Sequence, residues 1–173
     1  MPRCLLCALA LLAVAVLGGC DTDNPSSPLE EVQGVYAFTE LRFDPSQPQV
    51  LEDVIVHERL VQSNTSIEIF GAGPALIRFQ LEGGPTVRAD AVATATRSTV
   101  RLTAETEQDA ARLAQILLPP TITLSRSTDG DRLSGDFMTT ANLQAYDPEL
   151  YGGLVAQPGT LTITLDRATS RGD

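Results

Sequence analysis

Apolar and polar residues alternate in short runs along most of the chain after Leu29. The clearest run is 160–166, where Leu161, Ile163 and Leu165 lie on one face and Thr160, Thr162 and Thr164 on the other. In residues 75–82, Ala75, Ile77, Phe79 and Leu81 point one way, and Arg78, Gln80 and Glu82 the other. A period of two with one polar face describes half-buried antiparallel strands rather than the central strands of a parallel sheet. Weaker alternation runs through 35–43, 54–61, 66–70, 87–95, 99–103, 121–125 and 132–139. Ser63-Asn64, Gly71-Ala72-Gly73-Pro74, Gly83-Gly84-Pro85 and Asp129-Gly130 separate these runs as turns. One segment changes period. After Thr106-Glu107-Gln108-Asp109, a capping start, Ala110, Leu113, Ala114, Leu117 and Leu118 follow at helical spacing until Pro119-Pro120. About nine strands and one short helix predict an all-β domain over residues 29–167. A small closed antiparallel barrel fits it, with a two-sheet sandwich as the alternative.

The first apolar run has a different character. Met1-Pro2-Arg3 is short and positive, residues 4–17 are all apolar or small, and the run ends at Leu17-Gly18-Gly19-Cys20. Fourteen residues fall short of the roughly 20 that a membrane-spanning helix needs. The segment resembles a bacterial lipoprotein signal peptide with its lipobox. That resemblance implies cleavage before Cys20 and attachment of acyl chains such as palmitate to it, with 1–19 as the removed signal. Residues 21–28 hold no apolar side chain, two Pro and two Asp, and read as a solvated tether. Extended, it would hold the domain ~25 Å from the bilayer. The expected location is the cell envelope, anchored by lipid to the inner or the outer membrane. Residues 168–173 read as a disordered tail.

Gly34-Val35-Tyr36 opens the first strand, and Arg167 closes the last. This pairing resembles the lipocalin pattern, a Gly-x-Trp at the start of the first strand and a basic residue at the end of the last, with Tyr36 in place of Trp. The resemblance implies a barrel that holds a small apolar ligand. Candidate ligand-binding residues are Tyr36, with Ala91 and Ala93 from an alanine face on one strand, and Tyr146 and Tyr151. Small side chains at Ala89, Ala91, Ala93 and Ala95 leave room for a cavity, or lie where another element packs closely. The stretch 142–155 carries Tyr146 and Tyr151, with Gly152-Gly153 as a possible hinge. It is read either as a lid or as a loop that plugs the barrel with its own side chains.

Composition narrows the chemistry. The chain has 173 residues and a formal net charge of -10; all twelve basic residues are Arg. That balance speaks against nucleic acid and against electrostatic docking on anionic lipid. Without lysine there is no Schiff-base or P-loop chemistry. Loss of residues 1–19 removes one Arg and leaves 11 Arg against 22 acids, a charge of -11. It also removes Cys4 and Cys7, so that with Cys20 lipidated the body has no thiol. His57 is the single histidine, beside Glu58 and Arg59, and no Gly-x-Ser-x-Gly elbow is present. Asp129-Gly130-Asp131 lacks the spacing of a calcium loop and reads as a turn. The expectation is a non-enzymatic, lipid-anchored envelope protein without cofactor or metal, whose partners are membrane lipid and a small apolar molecule. A structural or interaction lipoprotein that engages an envelope protein is the alternative, and a carboxylate-dependent hydrolase is less favoured.

Overall fold

The computed structural model describes residues 27–47 and 51–168. The signal segment 1–19, Cys20, the tether as far as Ser26 and the tail from 169 onward lie outside the described residues. Within them, helix α1 (Pro28–Val32) precedes β1 (Gly34–Pro45), β2 (Val54–Ile55), β3 (Ser66–Ile69), β4 (Pro74–Gln80), β5 (Thr86–Ala95) and β6 (Thr99–Ala104). Helix α2 (Glu107–Leu113), β7 (Thr121–Arg126), β8 (Arg132–Ala141), α3 (Leu143–Tyr146) and β9 (Gln157–Arg167) complete the order. The strands pair in the sequence β1-β3-β4-β5-β6-β7-β8-β9, and β9 returns to β1 along nearly its whole length, all antiparallel. This is a closed eight-stranded barrel, and its up-and-down strand order is lipocalin-like. The sandwich alternative is excluded, because no strand edge separates two sheets.

Hydrophobic alternation is what closes the wall. Ile67 and Ile69, Ile77 and Phe79, Ala89, Ala91 and Ala93, Val100 and Leu102, Ile122 and Leu124, and Leu161, Ile163 and Leu165 all point inward and are buried. β1 switches phase halfway. Tyr36 and Phe38 are buried in its first half, Leu41 and Phe43 in its second, and the register against β9 slips between Phe38 and Glu40. Thr39 is therefore a bulge. One extra residue keeps both halves facing the core while the strand bends around the barrel.

The two ends are closed differently. At the end where the chain enters, α1 starts on Ser27, whose hydroxyl accepts from the Glu30 N–H while the Glu30 carboxylate accepts from the Ser27 N–H. The helix thus begins one residue inside the segment read as tether. At the far end, Thr106 caps α2 by accepting from the Asp109 N–H at 3.1 Å, as its sequence predicts. A 3-10 turn (Ala114–Ile116) continues α2, and Leu113, Ile116, Leu117 and Leu118 are buried there. α2 packs against β5, the strand with the alanine face.

Residues 54–61 depart from the expected strand. Only Val54 and Ile55 pair with β1, a 3-10 turn covers His57–Arg59, and Leu60 forms a lone bridge to Leu81. Val54, Val56 and Leu60 are buried, and Glu58 occupies the position between the last two. A regular strand would turn Glu58 inward with them, and the turn over His57–Arg59 leaves that carboxylate exposed instead.

Candidate functional site

The barrel wall has one weak seam. β7 and β8 form a hairpin, yet only Ser125↔Ser134 and Arg126↔Leu133 are paired. Continuing that register would set Leu124 against Gly135 and Ile122 against Phe137, but the two strands diverge. β7 stays with β6 through five pairs, while β8 follows β9 through ten. From Gly135 onward β8 therefore has one edge without a ladder partner among the described residues. Its inward positions also differ from those of the other strands, since Gly135, Phe137 and Thr139 are only half-buried. The Phe137 ring lies over Gly135, where a Cβ would sit 2.7 Å from it. An aromatic ring resting on a glycine covers backbone that a missing side chain would leave bare. On the outer face Met138 is 80% exposed.

Grooves flank both halves of this seam. One of ≈ 490 Å³ lies where the strands part and is lined by Glu40, Ser125, Ser134, Gly135, Asp136 and Thr162 among others. A second, of ≈ 310 Å³, lies between Pro119-Pro120 and Thr139–Asn142. Pro120 has no N–H to offer β8, which helps to explain why pairing does not resume.

The far end carries Tyr146 and Tyr151, which the structure brings together. Their ring centroids are 6.3 Å apart with planes at 28°. The Arg59 guanidinium sits 5.1 Å from the Tyr146 ring and donates to Asp147 at 2.8 Å. Asp147 also accepts from the Glu149 and Leu150 N–H groups at 3.1 and 3.0 Å. The Leu150 N–H bond, with the Arg59 contact next, holds the Asp147 carboxyl below its ordinary range. Burial pushes both tyrosine hydroxyls up. Tyr146 is only 5% exposed, and Leu143 beside it is fully buried. The α3 stretch is thus the plug that the sequence left open as one of two possibilities. Asn142 starts it by accepting from the Ala145 N–H.

Tyr36 is at the opposite end. Its hydroxyl shares its proton between the Val32 and Gly130 carbonyls (3.0 and 3.2 Å) and accepts from Arg167 Nη2 at 2.9 Å. Arg167 lies 5.5 Å from the same ring and also donates to the Glu31 carbonyl at 2.8 Å. The first-strand aromatic and last-strand base thus meet as the pattern of the two strands suggests. Ala91 and Ala93 lie inside the wall between the two ends, opposite Ala75 and Leu102. Of the five candidate ligand residues, Tyr146 and Tyr151 stack at one end of the barrel, Tyr36 is buried at the other, and Ala91 and Ala93 lie in the wall. His57 accepts from the Leu41 N–H through Nδ1 at 3.3 Å, so that nitrogen is engaged by backbone.

Sequence reading missed Phe137, Gly135 and Met138. The signal available was indirect: a glycine two residues before an aromatic in a strand, opposite a strand that starts after two prolines.

No protein-family model matches the chain, and no curated protein matches it. Among solved structures, a lipocalin-like protein from Bacteroides uniformis aligns with 80% of this chain and 99% of its own, at 10% identity and a TM-score of 0.42.

Proposed function

We propose that this chain is a lipid-anchored envelope protein whose barrel binds a small apolar molecule laterally, at the seam between β7 and β8, without catalysing a reaction on it. The observation that carries the reading is the half-buried inward face of Gly135, Phe137 and Thr139 beside an unpaired edge. Elsewhere full-sized side chains such as Phe38, Phe43, Phe79 and Leu165 are buried in the interior. Interiors packed at that density leave no preformed room, so a ligand enters where the wall already parts. Phe137 is the side chain it displaces, and the exposed face of Gly135 is the surface it takes over.

A second reading has its own observation. The free edge of β8 offers unpaired backbone groups beside Met138, which suits addition of an extended strand from an envelope protein.

A photoreactive diazirine fatty acid, added to the full-length protein in its native membrane, tests the first reading. Adducts mapped by mass spectrometry should concentrate on residues 135–139. Adducts spread evenly over the outer wall would refute lateral entry. Adducts elsewhere, together with protection of β8 amides by a bound protein, would favour the strand-addition reading.

A further inference from the structure

Ten arginines fall among the described residues, and six of them pair with carboxylates: Arg42, Arg59, Arg112, Arg126, Arg132 and Arg167. In a chain with 22 acids, those left without such a partner stand out. Two of them, Arg78 on β4 and Arg88 on β5, lie directly opposite each other across the hairpin. Directly opposed residues on antiparallel strands have Cα atoms ~5 Å apart, and like charges so placed repel. Neither makes an ion pair among the described residues. Arg78 is also half-buried, and its Nε is shielded from solvent without a hydrogen-bond acceptor.

Both residues line a groove of ≈ 1060 Å³ on the outside of the barrel, away from the β7–β8 seam. Asn64 borders it on one side, and Arg112 and Gln115, from α2 and its 3-10 extension, on the other. Asp90 is the one acidic residue in the lining. The Arg112 charge is already met by Asp109 at 2.8 Å, so the opposed arginine pair against Asp90 leaves the groove with a net positive charge.

We propose that this groove is an oxyanion site in which Arg78 and Arg88 clasp a phosphate monoester, with Asn64 and Gln115 as neutral donors. A phosphate monoester carries about two negative charges at neutral pH and offers three acceptor oxygens. It therefore offers the two opposed guanidiniums opposite charge and several acceptors, one of them for the Arg78 Nε that has none. The groove is larger than a bare phosphate, so the group it holds belongs to a larger molecule.

The test uses the full-length protein in neutral detergent, titrated calorimetrically with inorganic phosphate against chloride at equal ionic strength. Arg78→Gln and Arg88→Gln should each weaken phosphate binding at least tenfold. In phosphate-free buffer Arg88→Gln should leave the melting temperature unchanged or raise it, because it removes a repulsion. Vesicles of phosphatidylcholine with and without phosphatidic acid separate the sources. Free phosphate binding assigns a soluble ligand, whereas binding only to phosphatidic acid vesicles, lost in both variants, assigns a lipid headgroup. Equal binding by wild type and variants, or no response to either form of phosphate, overturns the site. A lowered melting temperature in Arg88→Gln with phosphate binding intact would make the pair structural instead.

Discussion

Single side chains decide how each end of the barrel is held. Tyr36 ties α1, the β7–β8 turn and the end of β9 through one hydroxyl, bonded to Val32, Gly130 and Arg167. Tyr36→Phe keeps the buried ring but strips the hydroxyl from those partners. It should cost about 1 kcal/mol, a fall of ~2–4 °C in melting temperature for a chain this size. A calorimetric scan that shows no fall would mean water replaces the hydroxyl at no cost. At the far end Asp147 plays the corresponding part, accepting from Leu150, Glu149 and Arg59. Its depressed folded pKa means that this stabilisation is complete above the ordinary aspartate range, near ~3.9, and disappears as pH falls through the lower folded value. Asp147→Asn should therefore melt lower than wild type at pH 7, by about 1 kcal/mol given its partly exposed Arg59 partner, and the gap should shrink below pH ~4. A gap that stays constant down to pH 2 would show the charge to be irrelevant. Residues of this kind were partly legible. Tyr36 and Arg167 were readable from their places at strand ends, but nothing local to Arg59 announces a partner 88 positions away.

At the scale of elements, the sequence located eight strands within a few residues, and of 54–61 only the first two, because alternation is a local signal that the folded wall preserves. The helices that escaped it are shorter than two turns. α1 was written as Ser27-Pro28-Leu29-Glu30, a capping box with Pro at its first helical position, but its surroundings read as tether. The β1 bulge was visible too, in the step from even to odd apolar positions between Phe38 and Leu41. Register is less local, yet the Arg78↔Arg88 opposition was also present: the two sit five residues on either side of Gly83, the centre of their turn. What pattern cannot show is the close approach of two strands. A Cβ at Gly159 would run into the Asp44 carbonyl and the Phe43 ring, and the carbonyl belongs to backbone that cannot rotate away. Gly159→Ala should thus destabilise by about 1–3 kcal/mol through overpacking, although its strand conformation admits alanine. Urea unfolding would read this as a lower midpoint with unchanged slope. An unaltered midpoint would place slack at the β1–β9 contact.

At the scale of the whole molecule, the proposed anchor at Cys20 would set the two ends of the barrel differently toward a membrane. The described chain enters beside α1, and six residues separate Ser27 from Cys20. Even fully extended at ~3.1 Å per residue, that span is about 20 Å, shorter than the barrel end is far from its opposite mouth once strands of ten residues are tilted. Anchored at Cys20, the protein would turn the Tyr36–Arg167 end toward the lipid and the α2–α3 end toward water. The Arg78–Arg88 groove lies toward the water-facing mouth, near the β4–β5 turn. With 11 Arg against 22 acids beyond residue 19, a charge of -11, the body itself has little electrostatic attraction to an anionic bilayer. On the proposed reading, attachment rests on acyl chains at Cys20, each methylene contributing about 0.8 kcal/mol, with two chains needed for a stable hold. Cys20→Ala removes the acceptor for those chains. It should appear in cell fractions either as a soluble protein or as an uncleaved precursor that retains residues 1–19. Mature-sized Cys20→Ala protein that sediments with membranes would refute the anchor, and with it the orientation. The same fractions distinguish the causes of any loss of ligand. A soluble variant that still binds inorganic phosphate but no longer takes up diazirine lipid would show that the groove acts from the aqueous side, while the seam depends on the membrane to deliver its apolar ligand.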